Sequence, residues 1–374
     1  MKFVISSAVL SQKLQAVGRV IASKSSLPIL DCFLIDIHEG KITITASDNE
    51  TTITTWADLA ECDADFRFAI NAKTIQDAIK EISDQPLDIY VNTTTFEMVI
   101  EYQNGKFNLM AQTADDYPQQ PSLPEDAISV NIPTARLLSG LGRAIFATAD
   151  DTIRPVMNGV FFDAKTTGLT IVASDGHKLA MSTLPEATAS VDASFILPKK
   201  PATLIKNILG KETEDTVIKI SEQKAALHSG SFVLNFRLIE GKYPNYNSVI
   251  PQDNPNQATI NRPALLSALR RVLICSSANS ALVKLQIGSS RLLISSQDID
   301  FSRSAEEEML CDYNGSPISI GFKGTFLLDL LNNLESEEVT IKLADASRAG
   351  VIVPAPQNEQ EQVLMLLMPM MLND

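Results

Sequence analysis

The sequence predicts an α+β protein built from three repeated domains, and two sets of equally spaced residues indicate this. Three short strand patterns each end in an aspartate, and the intervals between them are 127 and 123 residues: Asp48, Asp175 and Asp298. Three lysines at the start of predicted helices repeat at the same intervals: Lys73, Lys200 and Lys323. A fixed period of this length is typical of a chain that repeats one structural unit.

We expect the three domains to have similar lengths. The predicted bounds are residues 1–122, 123–253 and 254–374. Polar segments that contain proline lie near both boundaries, at residues 119–126 and 251–256, and such segments are typical of linkers. A chain of 374 residues is also long enough for two or three hydrophobic cores.

Each domain is predicted to contain a helix, several strands, a second helix and further strands. The first helices have apolar residues at helical spacing over residues 7–24, from Pro133 and from Pro263. The second helices have similar apolar stripes, from Ala72, from Pro198 and around Leu327. Segments of alternating apolar and polar residues between the helices predict antiparallel strands.

Composition predicts an ordinary globular protein, with 45% hydrophobic and 20% charged residues. The sequence shows no signal peptide and no run of eighteen apolar residues, so we expect a cytoplasmic location. The cysteines form no Cys-x-x-Cys pair, which disfavours a disulfide framework or a thiolate zinc site. We expect buried, reduced thiols at four positions: Cys32, Cys62, Cys275 and Cys311.

The charge is segregated along the chain. A net charge of −14, if spread evenly, would disfavour binding to nucleic acid. However, residues 7–24, 133–148 and 261–277 together contain eight basic residues and no acidic residue. Residues 198–211 contain four lysines and again no acidic residue. A single basic helix is most simply a solvated surface, but equivalent helices on one side of a repeat would form a continuous surface suited to a phosphate backbone.

This pattern predicts which side chains face duplex DNA. From the first helices we expect six such residues: Lys13, Arg19, Arg136, Arg143, Arg270 and Arg271. The helices contain few aromatic residues, so stacking on the bases of a single strand is not predicted. Contact with the backbone of a duplex fits the residue types better, and it would be independent of base sequence.

Enzyme chemistry has few candidates in this sequence. There are three histidines and no His-Glu-x-x-His pattern, so no metal and no cofactor is expected. In Asp175-Gly-His177 a carboxylate could orient an imidazole as a general base. The first copy of this pattern, Asp48-Asn-Glu50, has no histidine, so we interpret the shared aspartate as a turn residue. A hydrolase that uses His177 is the rival interpretation.

Several motifs resemble the β sliding clamp family, the β subunit of bacterial DNA polymerase III. They are spread in register over the whole chain: Met1-Lys-Phe3, Leu27-Pro-Ile-Leu30, Asn158-Gly159, Ala173–Leu179, Tyr243-Pro-Asn-Tyr246 and Met368-Pro-Met370. The resemblance implies three repeated DNA-clamp domains, each with two inner helices backed by outer antiparallel sheets. It also implies a head-to-tail homodimer that closes a ring around duplex DNA.

The resemblance further implies a function in DNA replication. Clamps of this family are non-catalytic processivity factors, and we expect partners of three kinds: the DNA polymerase III catalytic subunit, the clamp loader, and other polymerases or repair proteins that bind through short peptide motifs. No cofactor and no membrane association are implied. The alternative is a repeat-built protein-interaction scaffold that does not encircle DNA.

The family has a partner-peptide pocket between its second and third domains. Matched by motif, its members here are Met157, Ser174, Gly176, His177, Lys178, Leu179, Pro244, Val249, Leu366, Met368, Pro369 and Met370. The chain end is unusually apolar over Val363–Leu372, and methionines suit an adaptable groove. Ser248 and Met371 stand where the family often has arginine, so peptide preference is expected to differ.

The resemblance also implies DNA contacts and a dimer seam. Four lysines match family positions that contact DNA: Lys24, Lys73, Lys199 and Lys200. The seam is expected to join a strand of the first domain, near Phe107 and Leu109, to a helix of the third domain in the other subunit, near Leu273 and Ile274. Such a seam would also cover an otherwise exposed strand edge.

Overall fold

The computed structural model describes residues 1–22, 27–119, 123–124 and 126–372. By their internal contacts, the residues divide into two compact units. Unit 1 comprises Met1–Thr134 and Leu204–Leu238, and unit 2 comprises Ala135–Thr203 and Ile239–Asp374. The predicted middle domain therefore contributes to both units, and the three predicted domain bounds stay a prediction. Within the described ranges, no helix is long and apolar enough to cross a membrane.

The described residues form six α-helices, two for each predicted repeat. They are α1 (Ser7–Gly18), α2 (Ala72–Lys80), α3 (Thr134–Ala144), α4 (Lys199–Ile208), α5 (Arg262–Val272) and α6 (Gly324–Asn332). Short 3₁₀ helices lie at Pro28–Asp31, Ile145–Ala147, Pro155–Asn158, Leu209–Lys211, Tyr246–Val249 and Leu273–Cys275. The expected order of helix, strands, helix and strands is confirmed in all three repeats.

Helix α1 is shorter than predicted, because it ends at Gly18 rather than at residue 24. The side chain of Gln76 in α2 passes this point and donates a hydrogen bond to the carbonyl oxygen of Leu14. A Cβ atom at Gly18 would lie 2.4 Å from Nε2 of Gln76, so a larger residue there would displace this side chain. Helix α1 therefore ends where α2 approaches it closely, a contact between residues far apart in sequence.

The strands are numbered in chain order. The first ten are β1 (Lys2–Ser6), β2 (Cys32–His38), β3 (Lys41–Ser47), β4 (Thr51–Asp58), β5 (Glu61–Cys62), β6 (Phe66–Asn71), β7 (Pro86–Val91), β8 (Glu97–Tyr102), β9 (Gly105–Gln112) and β10 (Ile128–Ile132). The next eight are β11 (Gly159–Lys165), β12 (Gly168–Ser174), β13 (Lys178–Leu184), β14 (Thr188–Ala189), β15 (Ala193–Pro198), β16 (Thr216–Ile220), β17 (Lys224–Ser229) and β18 (Phe232–Arg237). The last nine are β19 (Asn256–Asn261), β20 (Leu282–Gly288), β21 (Arg291–Asp298), β22 (Arg303–Leu310), β23 (Asp312–Tyr313), β24 (Ile318–Lys323), β25 (Glu338–Leu343), β26 (Gly350–Ala355) and β27 (Gln362–Leu367).

Antiparallel pairing continues across the predicted domain boundaries. In unit 1 the strand order is β10-β16-β17-β18-β4-β3-β2-β6-β9-β8-β7-β1-β5. In unit 2 one sheet has the order β15-β11-β12-β13-β27-β26-β25-β19-β23, and another has the order β22-β21-β20-β24. Strand β18 of the predicted middle domain pairs with β4 of the first, and β13 of the middle domain pairs with β27 of the third. These main-chain ladders explain why the middle domain divides between the two units.

Each unit has helices packed on a sheet over an apolar core. In unit 1, α1 contacts α2, β3 and β4, and Leu14 and Val17 are fully buried. In unit 2, α5 contacts α6, β21 and β22, and Leu269 is fully buried. Each leucine removed from water in this way contributes about 1.5–3 kcal/mol, so burial of these helix faces stabilises each unit.

The cysteines only partly match their prediction. Cys32 and Cys311 are buried, and burial raises the pKa of both thiols. Cys62 and Cys275 are half-buried, so the prediction of burial was wrong for these two. Cys62 ends the two-residue strand β5, and Cys275 ends a short 3₁₀ helix, where less of the protein covers the side chain.

Candidate functional site

The turn between β12 and β13 is held by Asp175. Its Oδ1 accepts hydrogen bonds from the N–H groups of His177 (2.8 Å) and Lys178 (2.9 Å), and Nζ of Lys178 donates to Oδ2 at 2.7 Å. Gly176 has a φ of +90°, a conformation that favours glycine. Burial opposes ionisation of Asp175, but the bonds from Lys178 and His177 together lower the pKa of its carboxyl. The turn exposes Gly176 and His177 and buries Lys178.

The first copy of this turn has the same hydrogen bonds. Oδ1 of Asp48 accepts from the N–H groups of Glu50 (3.0 Å) and Thr51 (2.7 Å). The interpretation of the aspartate as a turn residue is therefore confirmed for the first two copies. The third copy differs, because Asp298 lies within β21 and pairs with Arg303 across a hairpin.

The geometry does not favour a catalytic pair at Asp175 and His177. Both oxygens of Asp175 already accept hydrogen bonds from backbone N–H groups and from Lys178. The carboxylate is thus used to build the turn rather than to orient the imidazole ring. His177 remains exposed next to the chain end.

The chain end runs along this turn. Strand β27 pairs with β13, and the next residue, Met368, donates its N–H to the carbonyl oxygen of His177 at 2.9 Å. Two residues later, Met370 donates its N–H to the carbonyl oxygen of Gly321 at 2.8 Å. Met368 is 42% exposed, and Pro369 and Met370 are half-buried. Backbone bonds therefore hold the Met-Pro-Met segment beside His177 with its side chains partly accessible.

An apolar cluster lies beneath this segment. Its buried members include Val172, Leu179, Leu366, Ala349, Tyr243 and Tyr246. The Tyr243 ring stacks on Phe161 with a centroid distance of 4.8 Å, and its hydroxyl accepts a 3.0 Å hydrogen bond from the N–H of Ser174. Burial raises the pKa of Tyr243 to about 12, so its hydroxyl stays protonated at neutral pH.

The predicted pocket residues fall into two groups. Leu179 and Leu366 belong to the buried cluster, and Met157 is also buried. Pro244 is exposed next to Tyr243, and Val249 is 51% exposed next to Ile250, which packs on the cluster. The buried group forms the floor of the predicted pocket. The exposed group leaves apolar surface at the rim of this pocket. Their role in binding a partner stays a prediction.

The structure adds an aromatic residue that sequence reasoning missed. The Phe326 ring lies 6.2 Å from the His177 ring, centroid to centroid. Nζ of Lys178 is 4.1 Å from the Phe326 centroid, and Nζ of Lys323 is 4.5 Å from it. Both ammonium groups lie within the distance at which an aromatic ring attracts a cation. The only sequence signal near Phe326 was the repeat interval that places Lys323 at the start of α6.

The basic residues predicted to face DNA lie on or next to the helices. Lys24 lies outside the described residues, and the other nine are at α1 to α5. Six of the nine are exposed: Arg19, Lys73, Lys199, Lys200, Arg270 and Arg271. Three are half-buried: Lys13, Arg136 and Arg143.

The half-buried residues have partners inside the protein. Nζ of Lys13 donates to the hydroxyl of Ser231 and lies 4.9 Å from the ring centroid of Phe232, and burial lowers the pKa of Lys13. Nε of Arg143 is 2.9 Å from Oε1 of Glu361. These side chains bind neighbouring elements, which leaves them less available to a phosphate backbone.

Several exposed basic residues also have local partners. Nζ of Lys73 is 2.5 Å from Oδ2 of Asp77, one helical turn later. Arg271 binds Glu307 of β22 through two hydrogen bonds, which raise the pKa of the arginine and lower that of the glutamate. Folding therefore brings Glu307 to α5, a helix that contains no acidic residue, while α2 supplies Asp77 itself. The helical surface is thus less basic than the charge pattern predicts.

The residues predicted for the dimer seam lie at two surfaces. Phe107 and Leu109 are half-buried in β9, which pairs with β8 along its length but with β6 only at Ala111 and Gln112. Within the described ranges, one edge of β9 is thus unpaired before residue 111. Leu273 is half-buried, and Ile274 is 75% exposed. An unpaired strand edge and an exposed isoleucine are features of an interface.

Comparison with known proteins identifies the family. Three domain models of the DNA polymerase III beta subunit match this chain: the N-terminal domain at residues 1–121, the central domain at residues 131–245 and the C-terminal domain at residues 247–370. The chain belongs to the DNA polymerase III beta subunit family. The recognition made from the motifs is therefore confirmed, as is a fold of three clamp domains.

Similar proteins extend over the full chain. The beta sliding clamp of Haemophilus influenzae is 28% identical over 365 residues, with 98% of this chain and 99% of that protein covered. The sliding clamp of Pseudomonas aeruginosa, solved bound to griselimycin, superposes with a TM-score of 0.93 at 26% identity and full coverage of both chains. The beta subunit of Thermotoga maritima gives a TM-score of 0.90, also at 26% identity and full coverage.

Proposed function

We propose that this chain is a sliding clamp that encircles duplex DNA and tethers the replicative polymerase and other replication or repair proteins. The observation that carries the proposal is the full-length match to beta sliding clamps in a chain whose basic residues are concentrated on its repeated helices. Topological enclosure requires only weak contact with phosphates, because tight binding would stop sliding. Exposed lysines such as Lys199 suit such contact.

The proposed clamp acts without catalysis and works in the cytoplasm. It supplies processivity, so its chemistry is binding rather than bond making. The use of both Asp175 oxygens in a turn supports this proposal, because the strongest catalytic pair in the sequence then lacks its orienting carboxylate.

The partner-peptide site is proposed at the turn of His177 and the segment Met368–Met370. An apolar floor of Leu179 and Leu366 and a partly exposed methionine suit the apolar side chains of a short peptide. The catalytic polymerase subunit and the clamp loader are the proposed partners. Because Ser248 and Met371 stand where arginine is common in the family, the proposed peptide preference differs from that of other members.

The proposed assembly is a head-to-tail homodimer. The unpaired edge of β9, with Phe107 and Leu109, supplies one side of the seam. Leu273 and the exposed Ile274 of the other subunit supply the opposite side. Two such seams would close a ring, because each subunit carries both surfaces.

Retention on DNA of different topology tests the proposed function. The protein is loaded on a nicked circular plasmid with its clamp loader, and the DNA-bound fraction is separated by gel filtration before and after a single restriction cut. We expect retention on the circle and loss after linearisation. Blocking both ends of the linear DNA with streptavidin should restore retention. Equal retention on circular and open linear DNA would refute encirclement.

A further inference from the structure

A second groove lies in unit 1, beside the first copy of the aspartate turn. It encloses a cavity of about 280 Å³. The lining comes from the turn after β3, from the segment after β9 and from strands β17 and β18. It includes Glu50, Pro118, Leu123, Lys224, Phe236 and Arg237.

The backbone of this groove repeats that of the Met-Pro-Met site. The N–H of Arg237 donates to the carbonyl oxygen of Glu50 at 3.1 Å, as the N–H of Met368 donates to that of His177 at 2.9 Å. The residue after each turn aspartate also has a positive φ, +80° at Asn49 and +90° at Gly176. A Tyr-Pro pair also precedes both linkers, at Tyr117-Pro118 and at Tyr243-Pro244. The repeat therefore builds the same main-chain frame twice.

The side chains on the two frames differ in charge. In unit 1, Lys224 lies directly opposite Arg237 in the β17–β18 ladder. In unit 2 the equivalent strands are β26 and β27, in which Gly350 pairs with Leu367. The next residues outward, Ala349 and Met368, occupy the positions that correspond to Lys224 and Arg237. Two cations directly opposite each other in a ladder repel, which destabilises the pair unless anions lie nearby.

One carboxylate in the groove offsets this charge only in part. Oε1 of Glu50 lies 3.6 Å from Nη1 of Arg237, and both side chains are more than half exposed. Such an exposed pair is weak, because water screens it. The groove keeps an excess of positive charge in a chain whose net charge is −14. Half-buried Pro118 and Leu123 add apolar surface beside the cations.

We propose that this groove binds an acidic segment of a partner protein. Carboxylates of the segment pair with Lys224 and Arg237, and an apolar side chain between them contacts Pro118 and Leu123. Arginine suits this role because its planar guanidinium can hold a carboxylate through two hydrogen bonds. The clamp then has two peptide sites of different chemistry on the same repeated frame. The site is independent of DNA encirclement, so retention on circular DNA does not test it.

A pair of labelled peptides provides the test. The first is a fluorescein-labelled decapeptide of alternating aspartate and leucine, and the second has lysine in place of each aspartate. Binding to the full-length protein is followed by fluorescence anisotropy at about 0.1 M salt. We expect the acidic peptide to bind and the basic peptide not to bind. The double variant K224E/R237E should weaken binding of the acidic peptide by at least about tenfold.

The variant K41E/R67E is the matched control, because it makes the same change in charge at exposed positions that lie outside the groove, at the opposite ends of β3 and β6 from the Asp48 turn. It should keep the affinity within about twofold, since charges more than a Debye length away are largely screened. A neutral variant, K224Q/R237Q, should also lose binding, which separates loss of the cations from new repulsion. Equal affinity of the unmodified protein and K224E/R237E would overturn the proposal. Full competition by sodium acetate at the same carboxylate concentration would overturn it as well, because the groove would then bind simple anions rather than a peptide.

Discussion

Nε of Arg143 lies 2.9 Å from Oε1 of Glu361, and the glutamate side chain is only 3% exposed. Ser139 donates its hydroxyl to the second oxygen of Glu361 at 2.8 Å. The two ends of this ion pair are 218 positions apart in the sequence. A carboxylate at this depth needs such partners, because removal from water opposes its charge. An arginine that the charge pattern assigns to DNA thus joins α3 to the segment before β27.

Removing one partner of this pair should destabilise the protein strongly. We expect Glu361→Ala to lower the free energy of unfolding by about 3 kcal/mol, because the half-buried guanidinium of Arg143 then keeps only the exposed carboxylate of Glu335, at 3.7 Å. Urea denaturation followed by circular dichroism measures the change. The double variant R143M/E361M should lose clearly less unfolding free energy than Glu361→Ala, because it removes both charges of the pair. A double variant less stable than Glu361→Ala would contradict this account.

Exposure of basic residues should determine their contribution to DNA binding. We expect Lys199→Gln to weaken binding of a short duplex and to reduce the slope of log affinity against log salt by about 0.9 if one phosphate contact is lost. Lys13→Gln should leave the slope unchanged, because Lys13 is held by Ser231 and Phe232. Anisotropy titrations over a salt series measure both. The prediction fails if the two variants have the same slope.

The chain end should carry peptide binding but not dimer formation. Deletion of residues 368–374 removes the backbone bonds of Met368 to His177 and of Met370 to Gly321. We expect loss of binding to a labelled partner peptide, while sedimentation still shows a dimer. Val191→Ala is the control, because Val191 is 51% exposed and lies outside the predicted pocket. Dissociation of the truncated protein into monomers would show that the segment belongs to the core instead.

The turn at Asp175 should give a pH-dependent contribution to stability. Its folded-state pKa lies below the ordinary value of 3.8, so the ionised carboxylate stabilises the fold above that pH, and this contribution is lost as the pH falls through the folded pKa. At neutral pH we expect Asp175→Asn to lower the free energy of unfolding by about 1.5–3 kcal/mol, which is the usual contribution of a hydrogen bond to a charged group.

Urea midpoints of both proteins between about pH 6 and about pH 3 measure this dependence. The difference between the unmodified protein and Asp175→Asn should shrink toward the acidic end. A difference that stays constant over this range would exclude ionisation of Asp175 as its source.

Ile274 should be essential to the proposed dimer seam. It is 75% exposed in the described chain, and burial against another subunit would remove that apolar surface from water. We expect Ile274→Asp to give monomers in analytical ultracentrifugation at micromolar concentration. Ile153→Asp is the matched control, because Ile153 is 88% exposed and lies outside the seam. Dimers of unchanged affinity in Ile274→Asp would place the seam elsewhere.

Much of the fold could be predicted because its signals are local. Apolar spacing located all six helices, and the interval between Asp48 and Asp175 indicated the repeat. The end of α1 was predicted too late, at residue 24, whereas the helix ends at Gly18, where Gln76 of α2 lies close by. For the candidate site, the Asp-Gly-His turn was found from its motif, whereas Phe326 was missed because only folding brings it to His177.

The sequence by itself determined the three repeats, the family, the turn at Asp175 and the basic character of the helices, because each depends on neighbouring residues or on a fixed period. Tertiary structure alone decided which of these basic residues bind carboxylates: Arg143 is bound by Glu361 and Arg271 by Glu307, although no acid lies in their helices. It also divided the middle repeat between two units through the pairing of β18 with β4 and of β13 with β27. The reason is that ion pairs and strand ladders join residues far apart in sequence, and their partners are set by the surfaces that folding brings into contact.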